Sequence, residues 1–320
     1  MNTALPSLRT APAPLIAAGN AVLLGAHPST DADLRRVRPG IYTARRAWED
    51  LPAWDRYLLR VHAFRLVRPD AMFSHESAAA LRGLPLFGHP RHLHIFDERR
   101  ERSLAYGDVH VHTSVDRRRA QDADGILLTT VVDTVIDLAR ALPPAFGLAV
   151  ADAAVRTSGL TGIDLRAVLE RQRNPRGRRR AEWVLSRTTP LAESVGESLS
   201  RAVIEWCGFP SPELQREHHV EGRRYRSDFC WPEHRVIGES DGWMKYGGGG
   251  DPAASAVAIR EEKRREDALR RAGWRIARWD YAGAITVTGL RDALTRAGLS
   301  PTRAPDTANL FAVARNPRSA

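Results

Sequence analysis

Two short runs carry the residues whose chemistry stands out. They are Arg226-Ser227-Asp228-Phe229-Cys230-Trp231 and Val236-Ile237-Gly238-Glu239-Ser240-Asp241, separated by Pro232-Glu233-His234-Arg235. The separating residues have hairpin-turn composition. If Trp231 faces Val236 across that turn, Asp228 faces Glu239, with Cβ atoms about 4.5–5.5 Å apart. Asp241, two beyond Glu239, shares the same strand face. Converging carboxylates raise one another's pKa unless a cation neutralises them. Oxygen donors suit Mg²⁺ or Mn²⁺, and no cysteine or histidine cluster beside them argues for zinc. Glu193 and Glu197, four apart on the preceding helix, can add a ligand or orient a metal-bound water, and Lys245 follows closely enough to reach the site. The competing reading is a row of solvent-facing acids, which the apolar residues around them disfavour.

These side chains need a scaffold. Glu193 to Trp206 is an amphipathic helix with Leu199, Ala202, Val203 and Trp206 on one face. Strand patterns follow at 214–220, 224–231 and 235–240, then a charged helix over 256–272 ended by Gly273, then a strand from Trp274 to Trp279. The order is helix, three strands, helix, strand. The charged helix alternates in sign from Arg260 to Asp267, and Lys263 or Arg264 on its inner face would touch a phosphate or hold a carboxylate. Trp274 and Trp279 read as packing residues rather than base-stacking platforms.

The front of the chain has a different rhythm. Residues 1–30 form an irregular arm, Asp31 to Arg36 a short helix, and Ile41-Tyr42-Thr43 a strand after Pro39-Gly40. Helices are expected over Trp54–Val67 and from Ser74 to Gly83. Two strands, His92–Phe96 and Asp108–His112, should be joined by a charged loop, and Thr130 to Asp133 opens a further helix as a capping box. Helices near 145–157 and 164–172 come next. His92, His94, His110 and His112 would share one face of a hairpin, which invites a metal reading. With no carboxylate in sight to orient the imidazoles, they read instead as half-buried strand residues. Six arginines between Arg171 and Arg180, with Pro175 and Gly177, suit a solvated basic linker in which Arg178, Arg179 and Arg180 are free to grip phosphates.

The chain has 320 residues, 43% of them hydrophobic, enough for two or three modest cores. Its net charge of +10, carried almost wholly by arginine, points to a polyanionic partner, with DNA the leading candidate. The absence of a long apolar run argues against a membrane partner, and two cysteines outside any zinc or disulfide pattern suit a cytoplasmic location. The expected divisions are an arm and winged-helix-like segment (1–85), an α+β domain (86–170), the linker (171–190), the carboxylate-bearing domain (191–300) and a flexible tail (301–320).

Ala192-Glu193-Ser194 with Glu197-Ser198, Ser227-Asp228-Phe229, Glu239-Ser240-Asp241-Gly242, Lys245-Tyr246 and Gly273-Trp274-Arg275 resemble the PD-(D/E)XK restriction-endonuclease-like superfamily, in the branch of very-short-patch-repair endonuclease relatives. The resemblance spans 190–300. It implies an α/β sandwich with a mixed sheet, divalent metal and phosphodiester hydrolysis, with Asp228 and Glu239 as metal ligands. The superfamily's lysine two beyond the glutamate is Asp241 here. Either Asp241 becomes a ligand while Lys245 or Lys263 supplies the positive charge, or the fold persists without activity. Separately, His75-Glu76-Ser77-Ala78-Ala79-Ala80-Leu81-Arg82-Gly83-Leu84-Pro85 and Leu128-Thr129-Thr130 leading to Asp137-Leu138-Ala139 resemble AbiEi-type antitoxins of type IV toxin–antitoxin systems. That likeness, over 40–160, implies a degraded winged helix that contacts DNA and a following domain that binds a toxin protein. The expected fold class is α+β, and the expected function is a metal-dependent DNA endonuclease. The alternative is a DNA-binding regulator or antitoxin whose nuclease fold is inactive.

Overall fold

The computed structural model describes residues 7–19, 27–241, 252–313 and 315–318, without the side chains of 252–259. Lys245 lies outside the described residues. The fold is mixed α/β and divides into two compact units, 1–142 with 157–186 and 316–320, and 143–156 with 187–315.

The first unit begins with strands β1 (Ile16–Ala17), β2 (Leu34–Arg38) and β3 (Ile41–Ala44), paired in the antiparallel order β1-β3-β2. The expected helix at Asp31–Arg36 is therefore a turn running into β2. Arg35, Arg36 and Arg38 pair with β3, whose Ile41, Tyr42 and Thr43 are buried, so strand pairing overrides local helix propensity. Helices α1 (Arg45–Asp50) and α2 (Ala53–Val67) follow. Tyr57, Leu58, Val61 and Phe64 of α2 recur at helical spacing and enter one core with Phe73, Leu81, Leu93, Val109 and Leu128. Because that core joins residues on both sides of position 85, no boundary falls there.

Strand β4 (Met72–Phe73) leads to α3 (His75–Leu81), then β5 (Leu93–Phe96), β6 (Leu104–Tyr106), β7 (Val109–His112), β8 (Ala120–Ala123) and β9 (Ile126–Thr129). They pair in the order β6-β7-β5-β4-β9-β8. The two histidine strands, β5 and β7, are adjacent but parallel, with His94 opposite His110 and Phe96 opposite His112. The charged loop does not simply join them, because it contains β6, which turns back antiparallel onto β7.

Helix α4 (Val131–Ala141) is capped by Thr130, whose hydroxyl accepts from the Asp133 backbone at 3.3 Å. After α5 (Pro144–Ser158), whose residues up to Arg156 belong to the second unit, come α6 (Gly162–Arg171) and α7 (Arg178–Arg187). The expected linker is thus largely helix. Ala181, Val184 and Leu185 of α7 are buried, and burying that apolar face holds a helix that arginine repulsion opposes.

In the second unit, α8 (Val195–Trp206) precedes β10 (Glu213–Val220), β11 (Arg223–Trp231) and β12 (Val236–Asp241). Helix α9 (Pro252–Arg271) and β13 (Arg275–Asp280) complete the sheet, with α10 (Tyr281–Ile285), α11 (Thr288–Arg296) and α12 (Thr307–Ala312) following. The sheet order is β10-β11-β12-β13, antiparallel except for parallel β12 and β13. Asp152 of α5 anchors α8. Fully buried, it accepts from Ser198 Oγ at 2.8 Å and Arg201 Nη1 at 2.7 Å. The expected flexible tail is also tied down. The Thr302 backbone donates to the Gly208 carbonyl at 2.8 Å, and the Asn316 side chain donates to the Phe87 carbonyl at 3.0 Å.

Candidate functional site

One row of side chains crosses the second unit's sheet. Trp231 pairs with Val236 and Phe229 with Gly238, and one step further that register sets Asp228 opposite Glu239. Asp228 Oδ2 accepts from the Ser240 backbone at 2.9 Å. On the other side of β11, Leu214–Phe229 and Arg216–Ser227 bracket Gln215 opposite Asp228. On β13, Arg278 stands opposite Glu239. The row therefore reads Gln215, Asp228, Glu239, Arg278.

Glu197 comes to this row from α8. Its helix start is set by Ser194, whose hydroxyl accepts from the Glu197 backbone at 3.1 Å. Glu197 Oε2 accepts from the Glu193 backbone and from Gln215 Nε2, both at 2.9 Å. Gln215 reaches it from a left-handed backbone (φ 52°), which interrupts strand pairing and re-aims the side chain. Its Oε1 is buried without a hydrogen-bond partner.

The electrostatics couple these acids. Burial pushes the Glu239 carboxyl up to about 7, opposed by Arg265 and reinforced by Asp228. Burial also raises Glu197, with the Glu193 N–H opposing and Asp228 again adding to the rise. Asp228 is thus the charge felt by both neighbours, as expected for carboxylates gathered at one place.

Asp241 does not simply join the three. Arg278 holds it, with Nη2 to Oδ1 at 2.8 Å, and the same guanidinium reaches Glu262 at 2.8 Å and Glu266 at 3.4 Å. Glu193, the other acid expected from the preceding helix, pairs with Arg226 at 2.7 Å.

Lys263 and Arg264 are exposed, whereas Arg265 turns inward, with Nη1 3.2 Å from Glu239 Oε1 and Nη2 2.9 Å from Glu262 Oε1. Helical phase explains the difference. Buried Leu269 marks the inner face of α9, and one and two turns back from it lie Arg265 and Glu262, not 263 and 264. Counting back from Leu269 in sequence would have found Arg265. Among the described residues it is the cation nearest Glu239 for which a direct contact is resolved.

Arg178, Arg179 and Arg180 open α7 in the first unit. Arg178 pairs with Glu182 at 2.8 Å, and Arg180 donates to the carbonyls of Arg140 and Ala141 at 3.2 Å. Arg179 is exposed.

Glu197, Asp228 and Glu239 offer only oxygens, the donor type a hard divalent cation takes. Gln215 Oε1, buried without a hydrogen-bond partner, belongs to the residue that donates to Glu197. Among the described residues, however, the acids and histidines gathered tightly enough to hold an ion are His94, His110 and His112. Among the described residues, no helix is long and apolar enough to cross a membrane.

No family model matches the chain, and no solved structure does. It is 33% identical over 167 residues to two uncharacterized proteins from two strains of Mycobacterium tuberculosis, a match covering 52% of this chain and 59% of each relative. The matched stretch thus takes in less than two thirds of those relatives' length.

Proposed function

We propose that the second unit hydrolyses phosphodiester bonds in DNA at Glu197, Asp228 and Glu239, with Mg²⁺ or Mn²⁺ as cofactor. The observation that carries this reading is the electrostatic coupling of Asp228 to both Glu197 and Glu239 on a helix, three strands, helix, strand scaffold whose last two strands are parallel. The reaction itself is taken from the restriction-endonuclease-like resemblance of the sequence.

A bound cation would lower the pKa of a coordinated water and offset charge building on the phosphate. The chain's own residues do the rest. Asp228 is held by the Ser240 N–H, and Glu197 by the Glu193 N–H and the Gln215 amide, so both enter the site with little freedom left to lose. Glu239, whose carboxyl is raised by burial, is ionised when a cation replaces its proton. Arg265, 3.2 Å from Glu239, supplies a positive charge in the part left open by Asp241 and would bind a phosphate oxygen of the substrate. The net charge of +10 favours a polyanionic substrate.

A second reading has its own support. Glu239 and Asp241 already hold internal cations, Arg265 and Arg278, which is how a site that binds DNA without cutting it would neutralise its acids. In that reading the chain is a DNA-binding regulator or antitoxin, with a toxin protein as partner of the antitoxin-like front.

Cleavage of supercoiled plasmid by the full chain in Mg²⁺ or Mn²⁺ separates the two. The nuclease reading expects nicking or cutting that falls at least a hundredfold in Asp228→Ala and Glu239→Ala. Arg265→Ala should fall less far and be partly restored in Arg265→Lys. Wild type and variants equally inert, with DNA binding retained, would establish the regulator reading instead.

A further inference from the structure

In the first unit, parallel pairing of β5 and β7 draws together histidines that belong to no part of the carboxylate site. His94 Nδ1 lies 2.8 Å from His112 Nε2. One nitrogen from each of His94, His110 and His112 lies within 4.8 Å of the others. We infer that His94, His110 and His112 form a binding site for a transition-metal ion of the zinc class, with Glu76 as the carboxylate that orients His94.

Three observations carry this. First, the 2.8 Å contact leaves room for at most one proton between two imidazole nitrogens, so at least one lone pair already points into the space between them. Glu76 Oε2 lies 3.4 Å from His94 Nε2, the side on which a carboxylate accepts the imidazole N–H when Nδ1 is the ligating nitrogen. A metal ion entering there replaces the shared proton.

Second, every ring is braced. His75 stacks on His112 at 3.9 Å between centroids, and His92 stacks on His110 at 4.6 Å. Glu76 is itself held by both Arg318 nitrogens, one at 2.6 Å. This carboxylate–imidazole arrangement is how proteins orient metal-ligating histidines, and it is the element that sequence reasoning found missing. Arg318 also passes 3.4 Å from His94 Nδ1, but its charge is matched by the Glu76 carboxylate.

Third, the group has one open side. His75, His110 and His112 line a cavity of about 670 Å³, with Arg118, Arg140 and Arg176 also in its wall. Three imidazoles with an open fourth position suit zinc, and the arginines suit an anionic group or water as fourth ligand. Tetrahedral coordination at bond lengths of about 2.0–2.1 Å spaces the nitrogens roughly 3.3 Å apart. His94 and His112 are close to that. The nitrogen of half-buried His110 lies within 4.8 Å of the other two, so binding requires that ring and the His92 stacked on it to shift inward together.

The test is titration of the full chain with Zn²⁺ by calorimetry, and with Co²⁺ by visible absorption. The expected result is one ion per chain with the absorption of four-coordinate Co²⁺, retained when the carboxylate site is removed. His94→Ala and His110→Ala should each weaken binding at least a hundredfold, and Glu76→Gln about 10–100-fold. His110→Ala guards against misfolding, because that ring is the least buried of the three, and circular dichroism checks its fold. The Asp228→Ala/Glu239→Ala double variant should bind Zn²⁺ as wild type does. Zinc binding that survives His110→Ala but is lost in the carboxylate double variant, or a Co²⁺ spectrum of six oxygen ligands, overturns the inference. So does the absence of any binding by a folded wild-type chain.

Discussion

Glu239 is the side chain on which charge and stability oppose each other most directly. Its carboxyl titrates at about 7 in the folded chain against an ordinary value of 4.5, so the folded state keeps a proton that the unfolded state has lost. Between those pH values stability must fall as pH rises, and above about 7 the loss is complete, roughly 3 kcal/mol from this group. Glu239→Gln removes this pH dependence. Its melting temperature relative to wild type should therefore rise from pH 4.5 to pH 8 in metal-free buffer, and an unchanging difference would show that the carboxyl is not raised. At this scale the sequence was partly legible. The Asp228–Glu239 pairing followed from one assumed contact across a four-residue turn, and that Trp231–Val236 contact is present. Arg265 was missed because the sign pattern of α9 says nothing about which face is inside. Glu76 was missed because the residue that makes it useful, Arg318, lies 242 positions away.

Among the elements, β12 is the one that positions the site, and Gly238 is its tightest point. A Cβ there would stand 2.6 Å from Trp279 Cη2 and 3.1 Å from Trp231 Cζ3, two indoles that pack across the strand. Gly238→Ala must therefore push an indole aside or bend the strand just before Glu239. We expect a loss of about 1–3 kcal/mol in denaturant unfolding, together with weakened divalent-metal binding. A fully stable variant with normal metal affinity would show that the indoles move freely. Local patterns located most elements of the second unit, because each strand there pairs with its neighbour in sequence or across a single helix. The histidine strands were recognisable individually, yet their parallel pairing was not. Period-two alternation is blind to partner and direction, and β6 lay inside a stretch whose charge suggested only a loop.

Across the whole molecule, sequence order and spatial order part company in two places. Residues 143–156 belong with the second unit although the chain before and after them belongs to the first, and 316–320 return to the first unit. The crossing between 186 and 187 falls inside the expected linker 171–190, whereas those at 142/143 and 156/157 lie at the start of α5 and within it, where the sequence shows no break in composition. Arg318 gives the return of 316–320 an energetic consequence. Removing it leaves Glu76, 4% exposed, without its guanidinium, and an uncompensated buried charge typically costs about 3–5 kcal/mol. Arg318→Ala should therefore lower the stability of the first unit by an amount of that order, read by hydrogen exchange at α3 and β5. Unchanged protection there would mean that the pairing is dispensable.

The return of residues 316–318 also orders events in time. During vectorial synthesis on the ribosome, α3 and its Glu76 emerge early, while the guanidinium that neutralises that carboxylate is added 242 residues later. Until then the nascent first unit holds its histidine strands beside an unmatched acid. The first unit is complete only once that segment has cleared the exit tunnel, and a bulky fusion placed directly after it would interfere with that closing step.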